Sequence, residues 1–485
     1  MSNDPNTVQP PAERFPAPVY AETILTVNFD ESKKHFLDSL IEIHFAHTLM
    51  LLRQGILSRE EAAQAFAALR RLDRNQLSRA VYDGTCEDLF FHIEELMGEA
   101  GQRIHVARSR NDIAITLFRM RLRGGLLKLI QALLEVRERM LRLAAEHVET
   151  VMPAHTHTQP AQPTTLAHYL LAGIECFGRD ALRLQAAFAD VNRSPMGACA
   201  ITTTGFPIDR EYTASLLGFE GLAENSYGAI AAIDYSTASA AAVAVSMVNL
   251  GKITQDLLLW STREFGYVRL GAGYVQSSSI MPQKRNPVAL EHTRILASRA
   301  LGEAQAVLTC AHNTPFGDIN DSEDDLQPLI FTMFDDAGRA LRLLAGTLGS
   351  LQVDRHALRQ RAAVDFLTVT ELADTLVRHG AVSFREAHDR VVNAVAACGD
   401  RFDRVAEVLL SQNPELGIPL AQLQLALDPD HFVQIRGIAG GPAPDAVRLQ
   451  IDAALRAQTE FTRWLECKES LQTDYRAQLQ SSSVL

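Results

Sequence analysis

Long stretches of helical periodicity are the feature that most restricts how this chain can fold. Apolar side chains recur at the spacing of a helix face over residues 113–151, 166–191, 227–265, 287–311 and 329–351. The alternating, β-branched pattern of strands hardly occurs. Because thirty helical residues span about 45 Å at ~1.5 Å per residue, such helices are longer than a compact globule of 485 residues needs. The sequence therefore predicts an all-α protein built on an elongated helix bundle.

The segment 227–265 is rich in alanine, which bears on how the helices pack. Alanine stands at Ala229, Ala231, Ala232, Ala238, Ala240, Ala241, Ala242 and Ala244. Small side chains on all sides of a helix let its neighbours approach closely, which favours a buried position in a bundle or an oligomer core. The alternative interpretation is that alanine reflects only its high helix propensity.

Three domains are expected from the change in helix length along the chain. Residues 1–112 are expected to form an N-terminal helical domain that includes a capping box, Ser58-Arg-Glu-Glu61, and residues 113–364 the central long-helix bundle. Residues 365–485 are expected to form a C-terminal helical domain with shorter helices. Within the first long segment, Gly124-Gly125 predicts a break, because glycine is unfavourable inside a helix.

The composition argues against several classes of function. The chain has 46 Lys and Arg against 58 Asp and Glu, and its net charge of −12 argues against a nucleic-acid partner, because a phosphate backbone attracts clustered cations. No segment reaches the ~20 uninterrupted apolar residues of a membrane span. Residues 1–18 are polar and rich in proline, unlike a secretory signal. We therefore expect a protein of the cytoplasm with no membrane partner.

The cysteines give the same indication about the compartment. The six cysteines are far apart and include no C-x-x-C pair; they are Cys86, Cys176, Cys199, Cys310, Cys398 and Cys467. Such spacing is typical of reduced, mostly buried thiols rather than of a disulfide framework or a zinc site.

The segment from Gln276 to Pro287 is the first of three that can carry chemistry. It contains three serines followed by the cations Lys284 and Arg285, and several glycines precede it, so we expect an exposed, flexible loop. Asn286 before a proline predicts a helix start with the asparagine as the cap. Such a loop can close over an anion and stabilise developing negative charge. The alternative is a serine-rich linker with solvated cations.

The second segment lies just before the first long helix and runs from His105 to Asp112. Arg108 and Arg110 offer forked donors that match carboxylates, and Asn111 adds an amide. Their place near a helix start again favours anions. The alternative is a capping segment in which Asp112 pairs with an arginine.

The third segment is a polar loop enclosed by prolines that carries His155, Thr156, His157 and Gln159. A His-x-His pair can bind a metal, but no further ligand stands at a suitable spacing, so we expect no metal here. A histidine that acts as acid, base or orienting donor is favoured, and the alternative is a structural loop. Because all three segments adjoin long helices, they can meet at one end of the bundle or between subunits. Two carboxylate-binding groups, a hydroxyl and a histidine indicate chemistry on a dicarboxylate.

These segments resemble motifs of the argininosuccinate lyase family of the fumarase/aspartase superfamily. The loop Ser278-Ser-Ile-Met-Pro-Gln-Lys-Arg-Asn-Pro287 resembles the superfamily's most specific motif, and Arg108-Ser-Arg-Asn-Asp112 and Thr156-His157 resemble two others. The likeness extends from about residue 30 to residue 450 and includes Glu87-Asp88. Several long motifs in the same order make a chance match implausible.

The resemblance implies a three-domain fold whose long helices form a twenty-helix core in a homotetramer. It implies that each active site is shared between three subunits. It also implies an elimination, without cofactor or metal, that releases fumarate from an N-substituted aspartate. The small-molecule partner would therefore be a dicarboxylate substrate.

The resemblance also implies roles for particular side chains. Ser278 would be the base that removes a proton from the carbon next to a carboxylate, and Lys284 and Asn286 would hold the dianionic intermediate. His157 would orient the substrate or help to relay a proton to the leaving nitrogen. The remaining predicted substrate contacts, some of them to succinyl carboxylates, are Arg110, Asn111, Ser109, Thr156, Gln159, Ser279 and Met281.

Departures from the family pattern concern the substrate more than the mechanism. Ser277 replaces the family's usual glycine, and His44 falls where the family has a serine that contacts substrate. The family's Tyr, Gln and Lys that recognise the amino-acid end of argininosuccinate fall near Asp318, Glu323 and Leu326. Acidic groups there are expected to repel a carboxylate and to favour a cationic amine. The alternative is that this acidic run merely solvates a surface or that the alignment is shifted.

The sequence thus predicts a carbon–nitrogen lyase that reversibly releases fumarate from an aminocarboxylate such as ethylenediamine-N,N'-disuccinate, through an aci-carboxylate intermediate. The competing hypothesis within the same class is an argininosuccinate lyase that releases arginine and fumarate. A hypothesis from another class is a catalytically silent structural protein, since lens proteins resemble this family. The presence of Ser278, Lys284, Asn286, Thr156 and His157 argues against silence.

Overall fold

The computed structural model describes residues 15–482. The prediction that the polar amino terminus is not a secretory signal falls largely on residues 1–14, which lie outside the described residues. Across residues 15–482, we found no helix that combines the length and the apolar character needed to cross a membrane.

Short helices lead into the bundle. They are α1 Pro18–Tyr20, continued by a π-helical turn at Ala21–Leu25, then α2 Thr26–His35, α3 Leu37–Arg53, α4 Arg59–Arg71, α5 Arg74–Arg79, α6 Leu89–Met97 and α7 Glu99–Ile104. The capping box predicted at Ser58 is confirmed, because its side chain accepts from the Glu61 N–H and the Glu61 side chain accepts in return. This reciprocal pair satisfies N–H groups that have no partner within the helix.

The central part of the chain is a bundle of long helices, as the periodicity predicts. Its helices and the short ones between them are α8 Arg110–Glu146, α9 Leu166–Val191, α10 Arg210–Leu216, α11 Ser226–Ala231, α12 Asp234–Trp260, α13 Val288–Ala311 and α14 Gln327–Leu348. All of the predicted long helices are confirmed. The segment 227–265 is shorter than predicted at both ends, because α11 forms a separate helix before Asp234 and α12 ends at Trp260.

The predicted break at Gly124-Gly125 is wrong, because α8 continues through both glycines. Gly125 is buried, and a Cβ atom built on it would lie 3.2 Å from Cγ of Phe334 on α14. The absence of a side chain therefore lets the aromatic ring pack directly on the helix backbone. Close packing of α8 against α14 offsets the propensity cost of about 1 kcal/mol that a helical glycine carries.

The long helices surround an apolar core. Leu126, Ile130 and Leu133 of α8 have no measurable exposure. Buried arginines occur in the same bundle, and each is paired rather than left alone. The guanidinium of Arg123, for example, donates to the carbonyl oxygens of Leu217 and Gly218 and to the Asn192 side chain. Hydrogen bonds of this kind are what make a buried cation tolerable.

The C-terminal part contains a second apolar core and one unexpected helix. Its helices are α15 Arg355–Ala362, α16 Val369–Gly380, α17 Phe384–Cys398, α18 Val405–Gln412, α19 Leu420–Ala426, α20 Pro429–Gln434 and α21 Pro444–Ser482. The second core lies between Leu372 and Ala426. The prediction of shorter helices is wrong for α21, which has 39 residues. The domain boundaries near residues 112 and 364 stay predictions.

Helix α21 escaped prediction because its sequence is mostly polar and its few apolar side chains give a weak periodic pattern. It packs along α8 and α9 instead of joining the second core. Gln458 of α21 donates to the Leu134 carbonyl and accepts from Arg137, and the Tyr475 hydroxyl donates to Glu42. Tertiary contacts of this kind stabilise a helix that its own sequence supports only weakly.

Short strands occur at the loops of the bundle. In the described residues, β1 Val151–Thr156 pairs antiparallel with β2 Gln159–Thr165, so that Thr156 faces Gln159. The other strands are two residues long: β3 Val268–Arg269 pairs with β6 Gln352–Val353, and β4 Gln276–Ser277 pairs with β5 Arg285–Asn286.

All six cysteines are free thiols, but the expectation that most are buried is wrong. Only Cys199 is buried, whereas Cys310 and Cys467 are exposed and the other three are half-buried. Cys310 lies in the last turn of α13, and Cys467 lies on α21.

The two adjacent glycines of α8 provide a matched test of this packing. Gly125→Val is expected to destabilise the protein by ~1–3 kcal/mol, because the new side chain must displace the Phe334 ring. Gly124→Val is the control, since a Cβ atom at Gly124 meets no atom within 4 Å. Thermal unfolding of the two variants measures the difference, and equal unfolding midpoints would contradict the packing role of Gly125.

Candidate active site

The amino end of α8 holds the first group of predicted site residues. Ser109 is the N-cap, and its hydroxyl oxygen accepts from the Asn111 N–H at 3.3 Å. Asp112 closes the capping box by accepting from the Ser109 N–H at 2.9 Å. The helix therefore begins at Arg110, where backbone N–H groups and the helix dipole favour an anion. Asp112 caps the helix, as the alternative interpretation of this segment holds, but its carboxylate accepts from backbone N–H groups rather than from an arginine.

Arg110 and Asn111 are half-buried. The Arg110 guanidinium forms an ion pair with Glu87. The Asn111 amide donates to the carbonyl oxygen of Ala200 at 3.2 Å. A small cavity of about 40 Å³ lies beside Arg110, with Asp88 and Glu323 in its lining.

Arg108, in contrast, does not take the carboxylate-binding position that the sequence suggests. Its guanidinium is fully buried, where it donates to Glu94 at 2.8 Å and lies 2.9 Å from Nδ1 of His44. Burial lowers the pKa of His44 well below its usual range, and the Arg108 charge lowers it further. His44 is thus a neutral, buried partner of Arg108, although it stands at the position of a substrate-contacting serine in the family pattern. Both side chains pack on the buried side of the segment and have a structural role.

Acidic side chains surround Arg110, some of them with strongly raised pKa values. Burial raises the pKa of Glu323 to about 8, and a hydrogen bond with Asp318 acts in the same direction. Burial also raises the pKa of Asp324 to about 6 and raises that of Asp88. Glu323 is only 6% exposed, whereas Asp318 and Asp325 of the same run are exposed. The acidic run is therefore partly a solvated surface, but Glu323 and Asp324 face Arg110.

The hairpin of β1 and β2 presents the second group. Its two turn residues, His157 and Thr158, have φ angles of +50° and +64°, as a two-residue turn between twisted strands requires. Thr156, His157 and Gln159 are exposed at the tip. His155 faces inward near Phe265, and burial lowers the pKa of its imidazole. In the hairpin, His157 therefore faces outward and is available to a substrate, whereas His155 has a structural role.

The loop between β4 and β5 presents the third group. Ser278 is half-buried, and its Oγ atom accepts from the N–H groups of Ile280 and Met281 at 3.4 and 3.1 Å. Ser279, Met281 and Lys284 are exposed on the same loop.

The prediction that Asn286 caps α13 is wrong. Pairing with Gln276 holds Asn286 in β5, the helix begins at Val288, and Pro287 takes the cap position without a side-chain hydrogen bond. Asn286 is thereby left at the base of the loop that carries Ser278. Its side-chain amide makes no capping hydrogen bond to α13.

One chain does not bring the three groups together. The hairpin follows the carboxyl end of α8, and Arg355, which follows β6, donates to the Glu146 carbonyl at that same end. The Ser278 loop belongs there too, because β3 pairs with β6. Arg110 lies at the opposite end, about 55 Å away along 37 helical residues at ~1.5 Å each. The three groups therefore cannot all meet at one end of a single bundle, which is one of the two arrangements that the sequence left open.

Some groups near the site carried no sequence signal of their own. The carbonyl oxygen of Ala200 accepts from the Asn111 amide. Because this contact uses a backbone atom, no side-chain motif in the sequence could have predicted it. Within residues 15–482, no three His, Cys, Asp or Glu side chains cluster as a metal site would require. The absence of a metal and of a cofactor stays a prediction.

Comparisons with known proteins identify the family. Residues 55–302 match the family described as lyase, and residues 366–434 match the argininosuccinate lyase C-terminal family. Argininosuccinate lyase 2 of Agrobacterium fabrum is 43% identical over 460 residues, which cover 92% of this chain and 91% of that protein. Argininosuccinate lyase of Methanoculleus marisnigri is 38% identical, with 90% and 92% covered.

Solved structures give the same result. EDDS lyase in complex with formate has a TM-score of 0.84 and 31% identity and covers 96% of this chain and 95% of its own. Class II fumarase from Schistosoma mansoni, at 14% identity and a TM-score of 0.69, shares the fold; 82% of this chain and 90% of that one are covered. The fold and these relatives define a fumarate-releasing carbon–nitrogen lyase of the fumarase/aspartase superfamily. Within that superfamily, the chain belongs to the argininosuccinate lyase family.

The raised pKa of Glu323 predicts a pH dependence of stability. A carboxyl group whose pKa is raised by folding contributes stability at low pH and loses it as the pH rises through the folded value, here about 8. The unfolding midpoint of the wild type is therefore expected to fall more between pH 6 and pH 9 than that of Glu323→Gln, which cannot titrate. Glu466→Gln, on the exposed side of α21, is the control. Parallel curves for the wild type and Glu323→Gln would refute the assignment.

Proposed function

We propose that this protein reversibly eliminates fumarate from an N-substituted aspartate, with Ser278 as the base. The observation that carries this proposal is the exposed β4–β5 loop, which presents Ser278, Lys284 and Asn286 together on the fold of a fumarate-releasing lyase. The catalytically silent alternative has no comparable explanation for these three side chains. The cytoplasm remains the predicted compartment.

In the proposed reaction, Ser278 takes a proton from the carbon next to a carboxylate of the substrate. The electrons left behind make that carboxylate an aci-carboxylate dianion, which the Lys284 ammonium and the Asn286 amide stabilise. The Ile280 and Met281 N–H groups that already point at Ser278 Oγ stabilise the alkoxide form of the base. The carbon–nitrogen bond then breaks, fumarate forms and the nitrogen takes up a proton. His157 orients the substrate or helps to relay that proton.

Binding of the succinyl carboxylates is assigned to the remaining site residues. Arg110 and Asn111 lie at the amino end of α8, where charge-assisted hydrogen bonds and the helix dipole add. Arg110 is held by Glu87 in this structure, so a substrate carboxylate competes for a guanidinium that is already oriented. The other contacts are assigned to Ser109, Thr156, Gln159, Ser279 and Met281.

The acidic groups near Arg110 support an amine as the leaving group. Asp324 lines the same cavity as Arg110, and because its pKa of about 6 leaves it ionised at neutral pH, a cationic amine placed beside it gains attraction. Glu323 lines the cavity too, but its pKa of about 8 leaves it mostly neutral, so it offers an oxygen acceptor rather than a charge. A free amino-acid carboxylate would instead meet repulsion. We therefore favour an aminocarboxylate such as ethylenediamine-N,N'-disuccinate, and argininosuccinate is the second candidate because the relatives of highest identity above carry that name.

The distance between the two ends of α8 supports a homotetramer with shared sites. Ser278 and Arg110 can act on one substrate only if different subunits supply them, because a single chain holds them near opposite ends of a helix about 55 Å long. Exposed apolar side chains on the middle of the bundle are available for such an assembly: Leu182, Val245, Val248 and Ile295. Four copies of α8, α9, α12, α13 and α14 would form the twenty-helix core.

A panel of N-substituted aspartates tests the substrate. Fumarate release, followed by ultraviolet absorbance, is expected to be fastest with diamine-derived substrates. Asp324→Asn is expected to lower kcat/KM for them by about three- to tenfold, because one attractive charge beside the amine is lost. Asp325→Asn, on the exposed neighbour, is the control and should change little. Preference for argininosuccinate over every diamine-derived substrate would contradict the proposed leaving group.

Two inactive variants test whether subunits share a site. Ser278→Ala is expected to lose turnover by at least ~10³-fold because no base remains, and Arg110→Ala is expected to lose activity at substrate concentrations well below its raised KM because a carboxylate contact is missing. If the two variants are mixed, unfolded and refolded together, about a quarter of the sites should receive an intact serine and an intact arginine from different chains. Activity should then return in the mixture.

The control for this mixing experiment is a chain that carries both substitutions, refolded alone. It cannot rebuild a site in any arrangement, so it should stay inactive. Gel filtration checks that every sample has the same oligomeric state. A mixture that assembles into hybrid tetramers but regains no activity would show that both residues act from one chain or that neither acts.

A further inference from the structure

Asp112 is a buried carboxylate that the proposed reaction does not use. Its side chain has no measurable exposure. One oxygen, Oδ1, accepts from the Ser109 N–H at 2.9 Å. The other, Oδ2, accepts from the N–H groups of Gly197 and Cys199, each also at 2.9 Å. A helix cap needs only the first of these contacts, so the second pair requires another explanation.

The turn that supplies the second pair has a backbone shaped for an anion. Gly197 has a φ angle of +83° and Cys199 one of +53°, so both lie in the left-handed region. Left-handed residues that aim N–H groups at one point form an anion-binding concavity. A Cβ atom at Gly197 would lie 2.7 Å from Cγ of Arg210, whose Nε donates to the Met196 carbonyl. The turn is therefore fixed on its outer side as well as by Asp112.

The same turn reaches a predicted substrate-binding side chain. The residue after Cys199 is Ala200, and its carbonyl oxygen accepts from the Asn111 amide at 3.2 Å. Asp112 is therefore linked to Asn111 through the turn, and it accepts a hydrogen bond directly from the backbone N–H of Ser109. Both neighbours of Arg110 in the chain thus depend on one carboxylate.

Burying this carboxylate is costly, and a neutral cap would suffice for the helix alone. Removing a carboxylate from water costs several kcal/mol unless hydrogen bonds compensate for it. Burial raises the pKa of Asp112 to about 6, against the opposing effect of the N–H donors. An ionised acceptor with two oxygens can join two separate backbone segments, which a serine or asparagine cap cannot do in the same way.

We propose that Asp112 is a positioning residue for substrate recognition, which joins the amino end of α8 to the 197–200 turn and thereby orients Asn111. It does not touch the substrate. This inference rests on the proposed function, in which Asn111 binds a carboxylate of an N-substituted aspartate.

Asp112→Asn tests the inference. The Asn amide cannot accept hydrogen bonds at both oxygen positions, so either Ser109 or the 197–200 turn loses its partner. We expect KM to rise roughly tenfold or more while kcat changes less, because carboxylate contacts act on substrate and transition state alike. Asp180→Asn is the control, since Asp180 is equally buried in α9 and accepts from Asn249 and Arg183. The control should lose stability and keep its KM.

A double-mutant cycle separates positioning from general damage. If Asp112 acts through Asn111, then Asp112→Asn should cost little more in an Asn111→Ala background than that background already costs. Losses that multiply would overturn the inference. If Asp112→Asn does not fold, Gly197→Ala is used in the same cycle, because it leaves the carboxylate in place and disturbs the turn together with the Arg210 and Ile208 side chains packed on it. Either variant therefore gives a decisive result.

Crystal structures separate this inference from the proposed function. Loss of the contact between Ala200 and Asn111 in Asp112→Asn would support positioning even if no N-substituted aspartate proved to be a substrate. A retained contact, with Asn111 unmoved, would overturn the inference even if the wild type released fumarate as proposed. Wild-type turnover alone decides the proposed function.

Discussion

Helix α8 runs without interruption for 37 residues, and the positions of the functional groups follow from its length and rigidity. Arg110 starts this helix, and the hairpin that carries His157 follows its end. Close packing keeps the helix rigid: the Phe334 ring packs against Gly125, and α9, α14 and α21 pack along α8. A rigid rod cannot bend its two ends onto one small substrate, so the proposed chemistry requires other copies of the chain.

The net charge of the chain does not show where its positive and negative groups lie. The chain carries a net charge of −12, yet its proposed substrate is an anion. The attraction must then be local, from Arg110, Lys284 and the helix start. Part of the acidity lies next to Arg110, where burial raises the pKa values of Glu323 and Asp324. Asp112 is different, because its carboxylate binds backbone N–H groups and not a cation.

Most of the fold was predictable because periodicity over twenty residues is a strong signal, and every predicted long helix is present. The errors occurred where tertiary contacts outweigh local preference. Gly124-Gly125 does not break α8, strand pairing places Asn286 outside α13, and α21 is stabilised by contacts with distant helices. Arg108 was predicted on the same grounds as Arg110, but only the structure shows that its guanidinium is buried against Glu94 and His44.

The sequence by itself determined the all-α class and the family, and it predicted the residues proposed to carry the chemistry, because helical periodicity and ordered motifs are properties of neighbouring positions. It did not determine which of those residues share a site. The structure placed Ser278 and Arg110 at opposite ends of the bundle, and it showed that Asp112 binds the 197–200 turn whose Ala200 carbonyl accepts from Asn111. Distances and backbone contacts between remote segments depend on packing, and packing is decided only when the whole chain has folded.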